Sequence, residues 1–331
     1  IDYCGRFEMN TIVREKCDLL IKNKDTLRQV FRLDGDMMML AGSSFYVGID
    51  VEANADKIKY CEQILKKNTK MLSEFRGNVR IPVLCKMAIA KEPQDYLISV
   101  QRIVGQMKHL RWMNGEYKVL AAMIIQDHED SFAIPAIIDK MTNIFHGMKE
   151  THPWLTSDED LPFAAMLAVS DLDTDRLIEE MEACYQMIIK TFPDKNASQS
   201  LSHVLAIDPS KTVVKCNRIR DIFATLKERK HKFGTGYELA ILGTMSMLEF
   251  SVEQIVEEII EADDYLKTKK GFGNFTMGEK RRRMYAALMV MDAHIPPASR
   301  SHQALLNSTL ALVIAMEICM ILIMTCLLYT S

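Results

Sequence analysis

Few residues in this chain have types and spacings that could do chemistry, and none completes a catalytic signature. His203 lies in the run QSLSHVLA, three positions after Ser200, so the two share a helical face. With a carboxylate such as Asp160 beside it, His203 would suit a general base near neutral pH. The competing expectation is a core histidine satisfied by a backbone carbonyl. No G-x-S-x-G elbow accompanies the pair, so a hydrolase gains no support. Asp171, Asp173, Asp175 and Glu182 carry the spacing of a calcium loop, but Arg176 stands where that loop needs glycine. A capped interhelical turn is the expected role. Asp127, His128, Glu129 and Asp130 offer ligating atoms on adjacent residues that cannot all point inward, and no H-E-x-x-H occurs. No metal and no cofactor is expected.

A second chemistry is anion binding. Lys267, Lys269, Lys270, Lys280, Arg281, Arg282 and Arg283 face a single acid, Glu279, with Gly271, Gly273 and Gly278 among them. A glycine-containing loop entering a helix offers backbone donors and the positive end of the helix dipole, and arginine adds bidentate contacts. Gly271, Gly273, Lys280, Arg281 and Arg282 are therefore the anion-binding candidates. No G-x-x-x-x-G-K-[ST] is present, so a nucleotide triphosphatase is not supported. The acidic stripe Glu253, Glu257 and Glu261 could neutralise the cations instead.

These groups must be placed by helices. Apolar residues make up 48% of the 331 and charged residues 26%, an ordinary globular balance, and a net charge of −3 gives no global reason to expect nucleic acid. The eight cysteines include no C-x-x-C pair, and most lie in apolar helical stretches, so buried reduced thiols of a cytoplasmic protein are expected. The 23 methionines recur at core spacing and read first as packing. CNRIRDIFATL places Ile219, Ile222, Phe223 and Leu226 on one stripe. In SVEQIVEEIIEADDY, Ser251 and Gln254 form a capping box. No run alternates apolar with polar, so no sheet is expected.

The chain repeats itself. Seven polar loops each lead into a helix with a small or apolar centre: FRLDGDMMMLAGSS, FRGNVRIPVLCKMA, WMNGEYKVLAAMII, WLTSDEDLPFAAML, FPDKNASQSLSHVLA, FGTGYELAILGTM and FTMGEKRRRMYAALM. Phe31, Phe75, Trp112, Trp154 and Phe192 precede Leu40, Leu84, Leu120, Phe163 and Leu201 by nine, nine, eight, nine and nine positions. The units led by Phe233 and Phe275 drift to six and ten. A second, longer amphipathic helix follows each first one and often ends in lysines. One such pair cannot bury its apolar face alone, whereas stacked pairs share a continuous core. The expectation is an all-α fold of about seven helical hairpins, forming an α/α toroid or a strongly curved solenoid. Residues 1–300 would make a single repeat domain and residues 301–331 an apolar C-terminal helix.

Equivalent loops of such an array gather at one edge. Trp112, Asn114, Trp154, Ser157, Asp160 and Asn196 are the candidates for a polar-aromatic ligand rim, although helix caps and turns demand the same polar residues. The tail is a separate matter. From Leu310 to Leu328 the only ionisable side chain is Glu317. That length is near the minimum for a bilayer span, and a gain of roughly 3–6 kcal/mol from its aliphatic residues barely exceeds a penalty of roughly 3 kcal/mol for the glutamate. Packing on the last repeat is favoured, and membrane contact is expected only through residues 310–328. The closing CLLYTS resembles adapter read-through, so the tail is expected to be partly non-native.

HPWLTSDEDLPFAAMLAVSD, KNASQSLSHVLA and KKGFGNFTMGEKRRRMYAA resemble a bacterial family known only as a domain of unknown function, number four thousand and three, over roughly residues 8 to 310. The resemblance implies fold and bacterial origin and carries no activity. The tail after Leu310 departs from the family's more alanine-rich end. GFGNFTMGEKRRRMYAALMV is also similar, over a short stretch, to the loop and helix of prenyltransferase and terpene-cyclase toroids. The function expected is binding of an unknown small molecule or protein at the loop rim or in a central groove. The alternatives are an enzyme with a toroid cavity and a tail-anchored membrane-surface protein.

Overall fold

The computed structural model describes residues 9–110, 112–128 and 133–294. Glu129, Asp130, the tail at 310–328, Cys4, Cys319 and Cys326 lie outside the described residues. Those described contain fourteen α-helices and no strand. In chain order they are α1 Thr11–Val30, α2 Asp36–Val47, α3 Ala55–Asn68, α4 Arg80–Ile89, α5 Pro93–Gln106, α6 Gly115–Asp127 and α7 Ile134–Thr151. There follow α8 Leu161–Ala168, α9 Thr174–Ile188, α10 Lys195–Leu205, α11 Thr212–Glu228, α12 Leu239–Gly243, α13 Val252–Lys267 and α14 Glu279–His294. The all-α expectation holds.

Odd and even helices differ in kind. The odd ones bury one stripe. In α3 it is Ile58, Cys61, Ile64 and Leu65, and in α5 Leu97, Val100 and Ile103. That is the three-and-four spacing of a helix with one wet face. The even ones are buried nearly all round, as in Leu161 to Ala168 of α8 and Met38 to Val47 of α2. Such helices are sandwiched between neighbours and need small residues for close approach. A Cβ added at Gly42 of α2 would lie 2.8 Å from the Cys85 sulfur of α4.

The described residues form two compact units, residues 19–178 and residues 9–18 with 179–294. In the first, α2 packs on α4 and α6 on α8, while α3, α5 and α7 lie along α4, α6 and α8. In the second, α10 packs on α12 and α12 on α14, with α11 against α13 and α13 along α14. In α3–α4, α5–α6, α7–α8 and α13–α14 the closely packed pair is an odd helix with the even helix that follows it. The aromatic-led loop is the hinge inside that pair, not the link between pairs that the sequence reading made it. In the second unit residues 10–18 meet α13 and α14. Asn10 donates to Glu258 at 3.2 Å, and buried Lys16 lies 2.8 Å from Asp292. The Arg14 guanidinium stacks 5.3 Å above Tyr265, whose hydroxyl donates to Asp18.

Register between helices is set by one polar device. A side chain of each odd helix fixes the turn that ends the following even helix. Asn23 of α1 donates to Val51 O and accepts from Ala53 N, at 3.1 and 2.7 Å. Lys57 of α3 donates to Ala90 O at 3.1 Å, and Tyr96 of α5 to Asp127 at 3.5 Å. Lys140 of α7 donates to Ser170 O at 2.6 Å. Glu180 of α9 accepts from Thr212 at 2.7 Å and pairs at 2.9 Å with Lys215, which donates to Asp208 O at 2.7 Å. Arg218 of α11 donates to Leu248 O and Phe250 O, and Glu258 of α13 accepts from His294. Lys140, Glu180, Arg218 and Glu258 are each the seventh residue of their helix. The last carbonyls of a helix have no partner within it, and burying them unpaired costs about 1–3 kcal/mol each.

The five described cysteines, Cys17, Cys61, Cys85, Cys184 and Cys216, are free and buried, as the composition suggested. Burial pushes the Cys17 thiol up to about 12 and Cys61 up to about 11, so both stay protonated at neutral pH. Among the described residues no helix is long and apolar enough to cross a membrane.

Lys215 is the most deeply buried of the charged register side chains. Lys215→Ala should lower stability in urea by about 2–3 kcal/mol, the worth of charge-assisted bonds left without a donor. The same change at exposed Lys211, four residues earlier, should shift it by less than about 0.5 kcal/mol. Equal effects would show that the device holds nothing.

Candidate functional site

In the unit of residues 19–178 the aromatic-led loops follow α1, α3, α5 and α7, and neighbouring loops are tied to one another. Arg80, at the start of α4, donates to Asp34 in the preceding loop at 2.7 Å. Glu116, at the start of α6, accepts from the Asn78 backbone at 2.6 Å and from its amide at 3.0 Å. Asp158 accepts from the Asn114 backbone at 2.7 Å. Glycines permit the close approach. A Cβ at Gly77 would sit 1.8 Å from Glu116 Oε1, and one at Gly115 2.7 Å from the Glu74 side chain. Thus the four loops form one hydrogen-bonded edge.

Three of the four loops are also anchored to the helix they leave. Arg28 donates to Asp34 O at 2.9 Å, Arg76 to Thr69 O at 2.9 Å, and Lys149 to Thr156 O at 2.7 Å. These cations sit at helix C-termini, where the dipole favours positive charge. The acceptors of Arg76 and Lys149 are neutral carbonyls, whereas Arg28 also forms an ion pair with Asp36.

On this fastened edge stand large apolar side chains in water. Leu33 is fully exposed, and Leu72 and Trp154 are each 96% exposed. Met71 and Trp112 are exposed as well. The sequence treats Phe31, Phe75, Trp112 and Trp154 as equivalent, but the structure separates them. Phe31 and Phe75 are buried anchors, whereas both tryptophans point outward. In the loop of Trp112 the buried anchors are Leu110 and Met113. In the other unit Phe272 is buried and Phe275, three residues on, is fully exposed.

The predicted rim residues divide by role. Asn114 caps α6, accepting from Glu116 N at 2.9 Å. Asp160 accepts from Ser157 N at 2.9 Å, closing a capping box ahead of α8. Burial pushes its carboxyl from the ordinary range up to about 7, opposed by the Ser157 N–H. Asn196, in the second unit, is exposed in the first turn of α10, and the cap there is Asp194, which accepts from Ala197 N at 3.0 Å. His203 is buried on α10, with Ser200 half-buried one turn before it. Asp160 belongs to the unit of residues 19–178, and Ser200 and His203 belong to the other. Asp173 caps α9, accepting from Asp175 N at 3.0 Å and Arg176 N at 3.2 Å, the capped turn read from the sequence.

The basic segment before α14 is built around one buried acid. Asp263, 1% exposed, accepts from Arg282 at 2.6 Å and from Arg283 at 3.0 Å, one guanidinium on each oxygen. Arg282 spends its Nη1 on Phe272 O at 3.2 Å and Asn274 at 2.6 Å, and Arg283 donates to Lys232 O at 2.6 Å. Arg282 thus folds the 268–278 loop onto the helices, and Lys280 is exposed with Arg281 half-buried beside it. Gly271 and Gly278 hold left-handed backbone, φ 86° and 83°, where a side chain is strained. His231, Asp263 and Asp264 lie close enough to invite a metal. Two arginines on Asp263 oppose a further cation there.

Sequence reasoning missed Leu33, Met71, Leu72 and the buried acid Asp263. For the first three a signal existed, since bulky apolar residues stood in otherwise polar loops. Asp263 carried none. It is one acid among several in EEIIEADD, and only packing singles it out.

Residues 23–319 match a family described as "Protein of unknown function (DUF4003)". The chain belongs to this family. An uncharacterized protein of Bacillus subtilis (strain 168), YeaA, is 22% identical over 254 residues, covering 73% of this chain and 74% of that one. No solved structure matches. Membership brings no activity with it, so whatever members of the family do must be read from geometry.

Two outcomes follow from these sites. An unfolded aspartate titrates near ~4, so between about 4 and 7 the folded protein holds a proton on Asp160 that the unfolded chain has lost. Stability therefore falls as pH rises through that window. Asp160→Asn keeps the cap acceptor and removes the ionisation. Its melting temperature should exceed the parent's at about pH 8, with the gain shrinking towards pH 5. A pH-independent difference would rule out a buried ionising carboxyl. Asp263→Asn should destabilise by about 3–5 kcal/mol in denaturant, because buried Arg282 loses its counter-charge and Arg283 keeps only half-exposed Glu279. A loss under about 1 kcal/mol would show that the cluster is wet.

Proposed function

We propose that this protein is a non-catalytic binding module whose contact surface is the loop edge of residues 19–178. One observation carries the reading. Both of the chain's tryptophans, with Leu33, Met71 and Leu72, are exposed on loops that hydrogen bonds hold in place. Tryptophan is ordinarily among the well-buried side chains, and clustered exposed apolar groups mark interaction sites. Rigid loops lose little entropy on contact, which favours a preformed surface. An enzyme built on Asp160 has the raised carboxyl pKa in its favour. Yet that carboxyl is buried and occupied as a helix cap, so binding is the better-supported reading.

A photo-crosslinking residue placed at position 154 in bacterial cells should capture an adduct. The same residue at Lys91, exposed in the turn between α4 and α5 of the same unit, should not. Equal or absent capture at the two positions would refute the binding edge.

A further inference from the structure

Resting on that reading, we infer that the occupant of the loop edge is the surface of an anionic lipid bilayer. The exposed apolar groups of the edge are spread over four loops. They stand on separate loops, Leu33 on one, Met71 and Leu72 on the next, Trp112 and Trp154 on the two after, and Leu33, Leu72 and Trp154 project almost wholly into water. A folded protein partner would need a matching pocket for each tip. A bilayer interface needs none, because every leucine, methionine or tryptophan enters the headgroup region independently, and tryptophan favours that layer.

Charge selects the kind of bilayer. Arg32 neighbours Leu33. Lys66, Lys67 and Lys70 precede Met71 and Leu72, and Lys108 precedes Trp112. Among the described residues no carboxylate pairs with Arg32, Lys67, Lys70 or Lys108, and Lys66 makes only an exposed pair with Glu62. Arg76 and Lys149 add charge held by neutral carbonyls, while Arg28 is paired with Asp36. Among the acids of the edge, Asp34 is paired with Arg80, and Asp158 and Glu116 are held by N–H groups of the neighbouring loops. A protein of net charge −3 thus places cations without a described carboxylate partner, Arg32, Lys67, Lys70 and Lys108, beside the apolar tips of this edge. Basic side chains near an anionic leaflet are drawn to it within a Debye length. The lysines alone would be explained by the helix dipoles, but the dipoles do not explain the tryptophans. This contact is independent of residues 310–328.

The test uses the full chain and vesicles of phosphatidylcholine, alone or mixed equally with phosphatidylglycerol. Since both tryptophans lie on the edge, intrinsic emission reports it directly. Emission should shift to the blue with the anionic vesicles only, and the shift should weaken as salt is raised. L33S/L72S/W112S/W154S, all exposed positions, should keep the parental melting temperature and partition about tenfold less. K67E/K70E should also partition less, with its tryptophans retained. Binding that leaves emission unchanged and is equal in the variants would assign membrane contact to the tail and overturn the inference. No vesicle binding, with protein adducts at position 154, would overturn it too, leaving the binding edge in place for an acidic protein. Absence of edge-specific adducts, by contrast, defeats the binding edge itself.

Discussion

The ends of the even helices are the constraint on which this protein rests. Those helices are buried nearly all round, so the carbonyls that finish them meet little water, and a helix cannot satisfy its own last turn. Every odd helix sends a polar side chain to the turn that closes the next even helix, from Asn23 at one end to Glu258 at the other. The chemistry varies among amide, ammonium, phenol, carboxylate and guanidinium, while the job stays fixed. Hydrophobic burial is non-directional and would tolerate sliding between helices. A short hydrogen bond would not.

At the opposite ends of the helices, the loops obey the same rule with a different result. Arg80, Glu116 and Asp158 each reach back to the previous loop, and glycines at 77 and 115 let the backbones meet. Loops are ordinarily where a repeat protein is loose. Here they are fastened to each other, and three of the four also to the helices they leave. An exposed tryptophan on a fastened loop keeps its position in the free protein, which is what a contact surface requires.

The cluster around Asp263 shows how a basic sequence can be structural. Seven cations stand within seventeen residues, yet two of the three arginines near the helix start, Arg282 and Arg283, are folded inward on one carboxylate. Their donors organise the loop at 268–278 and its neighbour at Lys232. Phe272 is the buried aromatic of that loop, in the place the sequence spacing gave to Phe275.

Sequence alone was enough to determine an all-helical chain, the alternation of one-faced and wholly apolar helices, the capped turns at Asp173 and Ser251, and the family. All of these follow from local periodicity and side-chain chemistry within a few residues, which survive without knowledge of partners. Tertiary structure decided which aromatics are anchors and which are outward-facing, since Phe75 and Trp112 hold equivalent places in the pattern and opposite places in space. It also decided that Arg282 faces a buried aspartate rather than solvent. Burial depends on what the neighbouring hairpin covers, and that neighbour's position is fixed by register bonds between residues some thirty to forty apart, a separation no local pattern encodes.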